Sequence, residues 1–337
     1  MSLRTEILSV GSYVPTRKVT NDDLKAYMDT SDEWIRQRTG IEQRYWIEDD
    51  SISTSDLALK ASEDAIQKAG IKKEDIDFII LGTLSPDVQF PGTSCYLQAK
   101  LGLPGVPTLD IRQQCSAFIY GMSIADQFIR SGMYKTILLV GSEVHSKALE
   151  LSTRGRDVSV LFGDAAGAAI LSAKSISDLS TDSHILSTHL HADGKYAGDL
   201  RFDLPGTKYP RWVMKELMDE PDAYPQMNGK PVFMHAVKRM PEVLMEGLKE
   251  NDLSPGDIDL FILHQANLRI NDACAKALQV DPDKVFNTIQ RFGNTTAATI
   301  PLGLAEAEKA GKLKKGMLVA SAAFGAGFTW GSAIYRW

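Results

Sequence analysis

Cysteine is scarce in this chain: only Cys95, Cys115 and Cys274 occur among 337 residues. An odd, widely spaced set of three fits neither a disulfide framework nor a tetrahedral zinc site, so no resident metal is expected and each thiol has to be judged by its own surroundings. Long apolar runs are missing too. The longest, such as residues 78–81 and 137–140, fall far short of the roughly 20 residues that a membrane-spanning helix needs. The opening Met1-Ser2-Leu3-Arg4-Thr5-Glu6 carries charge where an export signal has its apolar centre, so a cytoplasmic location is expected. Basic clusters are lacking as well. Lys and Arg total 37 against 43 Asp and Glu, a net charge of -6, which argues against nucleic acid as a main partner. What remains, 44% hydrophobic and 24% charged residues, is ordinary globular composition with enough length for two core-forming units.

The order of elements repeats. Glu74-Asp75-Ile76-Asp77-Phe78-Ile79-Ile80-Leu81 returns 182 positions later as Gly256-Asp257-Ile258-Asp259-Leu260-Phe261-Ile262-Leu263. Thr136-Ile137-Leu138-Leu139-Val140-Gly141-Ser142 is echoed by Gly316-Met317-Leu318-Val319-Ala320-Ser321-Ala322, and Gly167-Ala168-Ala169-Ile170 by Gly331-Ser332-Ala333-Ile334. Short β-rich apolar runs bounded by polar turns are the pattern of strands buried on both faces. Helical-period segments lie between them at 55–69, 116–131, 237–250 and 268–278. The expectation is a pseudo-twofold α/β protein of two halves, 1–175 and 176–337, each contributing a mixed sheet covered by helices. Residues 202–226 break the plan with Pro205, Pro210, Pro221 and Pro225 around a short helical centre at 212–218, and read as an inserted excursion, either a lid or binding loop or a plain surface loop.

Three positions carry chemistry. Cys115 follows the apolar run 107–111 and opens a helix, where unpaired N–H groups and the helix dipole favour a thiolate nucleophile. Cys95 and Cys274 lie inside helical-period segments and keep a structural reading. His264 stands where an apolar strand turns abruptly polar, the edge at which a parallel sheet presents its active residues. Asn294 occupies a Gly-Asn turn that suits either an amide aimed into a cleft or a simple turn. The glycines from Gly325 to Gly331 miss the dinucleotide fingerprint and precede a strand, so they point to close backbone approach to a ligand.

The chain resembles the β-ketoacyl-[acyl carrier protein] synthase III family through Asp29-Thr30-Ser31-Asp32-Glu33-Trp34-Ile35, Arg38-Thr39-Gly40-Ile41, Phe162-Gly163-Asp164, Thr188-His189-Leu190-His191-Ala192-Asp193-Gly194, His264-Gln265-Ala266-Asn267-Leu268-Arg269-Ile270, Gly293-Asn294-Thr295 and Gly327-Phe328-Thr329-Trp330-Gly331-Ser332-Ala333. The resemblance implies a thiolase-like fold, layered αβαβα, with mixed five-stranded sheets. It implies a decarboxylative Claisen condensation of an acyl-coenzyme A primer with malonyl-[acyl carrier protein] in fatty-acid initiation, by a homodimer without a resident cofactor. The family's catalytic set falls on Cys115, His264 and Asn294, and its oxyanion hole on the N–H groups of Cys115 and Ala326. Trp34, Arg38 and Arg156 match positions at the coenzyme A nucleotide, Ala266 and Asn267 the pantetheine tunnel, and Arg269 and Lys276 the region where the carrier protein docks. Phe90 matches a residue that crosses the dimer interface to line the partner's acyl pocket.

Departures surround the substrate. Arg112-Gln113-Gln114 precedes the nucleophile where small apolar residues are usual, Ser116-Ala117 follows it, and Lys230-Pro231 replaces an expected asparagine. With the longer excursion, these changes lead us to expect a primer of roughly six to ten carbons, each added buried methylene being worth about 0.8 kcal/mol. Alternatives are a condensing enzyme or acyltransferase of secondary metabolism, a Cys-His-Asn hydrolase of the papain kind, and a non-catalytic acyl-binding subunit.

Overall fold

The computed structural model describes residues 2–176, 181–210 and 220–337. The first half begins with β1 (Ser2–Tyr13), followed by β2 (Arg17–Thr20), α1 (Asp32–Thr39) and β3 (Gln43–Trp46). It continues through α2 (Thr54–Ala69), β4 (Phe78–Gly82), α3 (Thr93–Leu101), β5 (Thr108–Ile111) and α4 (Ala117–Arg130). Then come β6 (Thr136–Glu143), α5 (Arg156–Ser159) and β7 (Ala165–Ile176). The second half has β8 (His184–Ala192), the short pair β9 (Leu200–Arg201) and β10 (Gln226–Met227), α6 (Gly229–Glu250) and β11 (Leu260–Leu263). It closes with α7 (Leu268–Leu278), α8 (Ile289–Phe292), α9 (Thr299–Lys309), β12 (Leu318–Gly325) and β13 (Thr329–Arg336).

Two mixed sheets follow from these strands. The first has the order β5-β4-β6-β7-β1, with β4 parallel to β5 and β6 and the remaining pairs antiparallel. The second has the order β11-β12-β13-β8, one parallel pair followed by antiparallel pairs. The same sequence of pairings, one parallel and then two antiparallel, thus occurs twice. The expected fifth strand of the second sheet is absent among the described residues. In its place stands a single parallel bridge between Phe261 and Val285. The chain reaches Val285 from the 3-10 turn Pro282–Lys284 and enters α8 at Ile289, which leaves too little extended backbone for a ladder.

The strand pleat distributes side chains between layers. Ile79 and Leu81 of β4 pack outward with Leu57, Ala58 and Ala61 of α2, whereas Phe78 and Ile80 face inward with Phe118, Met122 and Ile129 of α4. In β11, Ile262 joins that same inner core and Phe261 packs outward with Val243 and Leu244 of α6. Helices α4 and α9 therefore lie between the sheets, with α2 and α3 on one outside and α6 and α7 on the other. Five layers, αβαβα, result. A helix between two sheets must be apolar nearly all round, and Ala117, Phe118, Ile119, Gly121, Met122, Ala125 and Ile129 of α4 are all buried. Gly141 of β6 is needed at the seam of the halves: a Cβ there would come within 2.2 Å of the Ala297 carbonyl oxygen.

Helix α6 starts at Gly229, well before the expected residue 237. Pro231 lies in its first turn, where a proline needs no N–H partner, so the helix runs on through it. Helix α7 spans the expected residues. Cys274 is buried, but Cys95 is exposed, because α3 buries Thr93, Ser94, Leu97 and Leu101 and turns Cys95 away from them. The expected helical centre at 212–218 lies outside the described residues. Among the described residues, no helix is long and apolar enough to cross a membrane.

Candidate active site

Both inner helices are entered through a 3-10 turn, Gln114–Ser116 before α4 and Thr296–Ala298 before α9. Each turn begins on a non-glycine residue in the left-handed region, Gln114 at φ 43 and Thr296 at φ 48. Such a residue costs about 1–2 kcal/mol, so the surrounding packing holds it in place. The two positions are 182 apart, the offset of the strand repeat. The sequence echo covered the strands, and the matching turns were not legible in it.

The first turn presents Cys115. Gly325, at the end of β12, must lack a side chain, since a Cβ there would lie 2.7 Å from Cys115 Cβ and 3.1 Å from Sγ. The backbone N–H groups of Cys115 and Ala326 face the sulfur and favour its anion. Burial outweighs them and, reinforced by the Glu143 carboxylate, pushes the thiol up to about 12. Burial thus opposes the thiolate that the helix start and the two N–H groups favour. Alkylation by iodoacetamide should accordingly accelerate about tenfold per pH unit from pH 7 to 10 without levelling off. A plateau below pH 8 would show a preformed thiolate and contradict this electrostatic reading.

Glu143 ends β6 and is fully buried. Its carboxylate accepts from Thr83 Oγ1 at 3.0 Å, Ser85 Oγ at 2.7 Å, the N–H of Leu84 at 3.1 Å and, across the seam, the N–H of Ala297 at 3.4 Å. Burial raises its pKa to about 7.

His264 follows β11, and burial lowers its pKa to about 3, so the imidazole is neutral at working pH. Its Nδ1 lies 2.7 Å from Thr299 Oγ1, while the buried Nε2 has no partner among the described residues. Asn294 is also buried, and its Oδ1 accepts from the N–H of Thr296 at 2.9 Å, which leaves the amide NH₂ turned away from that turn.

Cys115, His264, Asn294 and Ala326 line one cavity of about 1050 Å³. Trp34, Arg38, Ala266, Asn267 and Arg269 line it as well. The Arg38 and Arg156 guanidinium carbons stand 4.4 and 4.5 Å from the Trp34 ring centroid. Asn267 is partly committed elsewhere: its Nδ2 donates to the Arg38 carbonyl at 2.9 Å and its Oδ1 caps α7 through the N–H of Arg269 at 3.0 Å. Arg269 is exposed over Phe233, at 5.2 Å. Phe90 and Lys276 lie outside the cavity, Phe90 at 82% exposure and Lys276 exposed on α7. Of the unusual residues before the nucleophile, Arg112 and Gln114 line the cavity, whereas the Gln113 side chain bonds Tyr120. Ser116 turns inward and donates to the Thr329 carbonyl at 3.0 Å. Among the described residues, no group of three or more His, Cys, Asp or Glu is placed to hold a metal ion.

Sequence reasoning missed Glu143, His145, Thr296 and Thr299; His145 and Thr296 line the cavity, and Glu143 and Thr299 are buried outside its lining. The only signal for the threonines was the repeat offset relating Thr296 to Gln114.

Family models described as 3-oxoacyl-[acyl-carrier-protein (ACP)] synthase III match residues 109–194, and as its C-terminal part residues 248–337. A β-ketoacyl-[acyl-carrier-protein] synthase III of Xanthomonas campestris is 44% identical over 333 residues, covering 99% of this chain and 98% of that one. The crystal structure of the 3-oxoacyl-[acyl-carrier-protein] synthase III of Aquifex aeolicus superposes with a TM-score of 0.89 at 39% identity, covering 99% of this chain and 100% of that one. A priming β-ketosynthase from the R1128 polyketide pathway superposes at 0.87 with 28% identity, covering 99% of this chain and 97% of that one. Cavity, fold and full-length identity agree: the chain belongs to the β-ketoacyl-[acyl-carrier-protein] synthase III family, with its thiolase-like fold.

Proposed function

We propose that this protein joins an acyl-coenzyme A primer to malonyl-[acyl carrier protein], releasing carbon dioxide and giving a 3-oxoacyl-[acyl carrier protein], the initiating condensation of fatty-acid synthesis. The observation that carries this reading is one cavity where a buried thiol faced by two backbone N–H groups shares space with a neutral histidine and a fixed amide. In the first half-reaction Cys115 sulfur bonds the primer carbonyl carbon. The N–H groups of Cys115 and Ala326 stabilise the tetrahedral oxyanion, and coenzyme A leaves with the thiol proton. Transfer of that proton to the leaving sulfur suits a nucleophile that rests as a thiol.

In the second half-reaction the malonyl carboxylate departs as carbon dioxide, and the electron pair it leaves is held as an enolate. His264 Nε2–H and the Asn294 NH₂ donate to the enolate oxygen without giving up any charge. The enolate carbon then bonds the acyl carbon and Cys115 leaves, to be reprotonated.

Substrate contacts follow the same logic. Trp34 with Arg38 and Arg156 offers an aromatic face and cations to adenine and phosphates, and Ala266 and Asn267 border the pantetheine arm. Arg269 and Lys276 present positive charge to an acidic carrier protein. Phe90, exposed on one protomer, fits a partner's pocket in a homodimer; an active monomer in sedimentation would contradict that assembly. The excursion bears on primer length, because Phe202, Leu204, Pro205 and Pro225 line the cavity.

The test is a series of acyl-coenzyme A primers from two to twelve carbons with malonyl-[acyl carrier protein]. Stoichiometric carbon dioxide and 3-oxoacyl product are expected, with kcat/KM highest at roughly six to ten carbons. A maximum at acetyl would overturn the primer proposal alone, whereas thioester hydrolysis without carbon dioxide release would overturn the condensation itself. Run with Arg269→Glu, the same assay should raise KM for the carrier-protein substrate and leave acylation by coenzyme A thioesters unchanged; equal damage to both would remove Arg269 from docking.

A further inference from the structure

The turn that opens α9 touches both proposed enolate donors. Thr299 Oγ1 stands 2.7 Å from His264 Nδ1, and 2.9 Å from the Thr296 carbonyl oxygen. The N–H of Thr296 is bonded to Asn294 Oδ1 at 2.9 Å, and the Thr296 hydroxyl is held by His145 Nε2 at 2.7 Å. All these groups are buried. A hydroxyl has a single proton, so Thr299 donates either to the Thr296 carbonyl or to His264 Nδ1. The choice fixes the histidine tautomer. If the proton goes to the carbonyl, Nδ1 must carry the imidazole proton and Nε2 faces the cavity as a bare lone pair. If it goes to Nδ1, the imidazole proton sits on Nε2.

One observation and one requirement of the proposed reaction decide between them. The Thr296 carbonyl already accepts from the backbone N–H of Thr299, so it keeps a partner when the hydroxyl turns away. Nε2 is buried, has no partner among the described residues and belongs to a side chain that lines the cavity; in the proposed reaction it meets a developing anion that only an N–H can stabilise. We propose that Thr299 and Thr296 are positioning residues, the Thr299 hydroxyl donating to His264 Nδ1 and so holding the imidazole proton on Nε2, the Thr296 N–H holding Asn294 with its NH₂ toward the cavity. This rests on the condensation reading and deepens it. The left-handed backbone at Thr296 serves the arrangement by aiming its N–H at Asn294 while its carbonyl stays beside Thr299. It repeats the turn at Gln114 that presents the nucleophile. One duplicated turn thus sets out both half-reactions: the first copy carries the sulfur, and the second carries the partners of the two donors.

The experiment combines spectroscopy with kinetics. In protein labelled with ¹⁵N-histidine, the His264 resonances are identified by their loss in His264→Ala. They should show a proton-bearing Nε2 and a bare Nδ1 at neutral pH; the reverse assignment overturns the proposal. Thr299→Val, which keeps the shape and removes the hydroxyl, should slow carbon dioxide release roughly 10- to 100-fold, the range found when hydrogen-bond partners of metal-bound histidines are removed. It should shift the tautomer signals and leave acylation of Cys115 at the wild-type rate. Thr299→Ser should restore both rate and signals. Carbon dioxide release at the wild-type rate in folded Thr299→Val would overturn the inference while leaving condensation standing. Unimpaired carbon dioxide release in His264→Ala would instead overturn the condensation reading on which it rests. Should Thr299→Val fail to fold, the wild-type tautomer and the Thr299→Ser rate still decide the matter.

Discussion

Cys115→Ala should abolish acyl transfer, lowering it by roughly 10⁴-fold or more, as expected when a covalent nucleophile is deleted. The fold should survive. Alanine retains the Cβ that packs against Gly325, and only a sulfur at the edge of a cavity is lost, so the stability change should stay near about 1 kcal/mol. Neither remaining thiol can substitute: Cys95 is exposed on α3 and Cys274 is buried in α7, and neither lines the cavity. The measurement is transfer of labelled acyl groups from acyl-coenzyme A to protein, beside a thermal melt. Persistent labelling of a folded Cys115→Ala protein would assign the nucleophile elsewhere.

The second large effect separates the half-reactions. His264→Ala and Asn294→Ala should each slow carbon dioxide release from malonyl-[acyl carrier protein] by about 10²- to 10³-fold, the cost of one preorganised donor, and both proteins should still accept the primer on Cys115. The separation follows from position: the groups that face the Cys115 sulfur are backbone N–H groups, which these substitutions leave alone. If both variants lost acylation as completely as Cys115→Ala, histidine would be acting as a general base for the thiol, as in a Cys-His-Asn hydrolase. A burial that keeps His264 neutral down to about pH 3 also predicts that carbon dioxide release shows no acid limb from this imidazole above pH 5.

What could be read from the residues alone divides along physical lines. Strands such as β4 and β11 are buried on both faces, so they appear as unbroken apolar runs, and their 182-residue spacing exposed the duplication. Cys115 and His264 stood out as candidates because His264 follows directly on an apolar strand and Cys115 lies between such a strand and a helix start. The surroundings of the Cys115 sulfur were only partly legible. A helix-start argument counts the dipole, whereas the state of the thiol depends on burial and on Glu143, which β6 brings beneath it from later in the chain. Thr299 was invisible for a related reason: threonine is unremarkable in a helix, and its partner His264 lies 35 residues earlier on another element. The single Val285 bridge was equally hidden, because the resemblance implied a strand where a 3-10 turn consumes the available length.

The most direct test of the central claim is a single-turnover experiment followed by mass spectrometry of the intact protein and its peptides. After mixing with acyl-coenzyme A alone, one acyl group should appear on the Cys115 peptide. On addition of malonyl-[acyl carrier protein] it should disappear with release of one equivalent of carbon dioxide and formation of the 3-oxoacyl product. An adduct on another residue, or one that turns over to free acid with the malonyl group intact, would contradict the account.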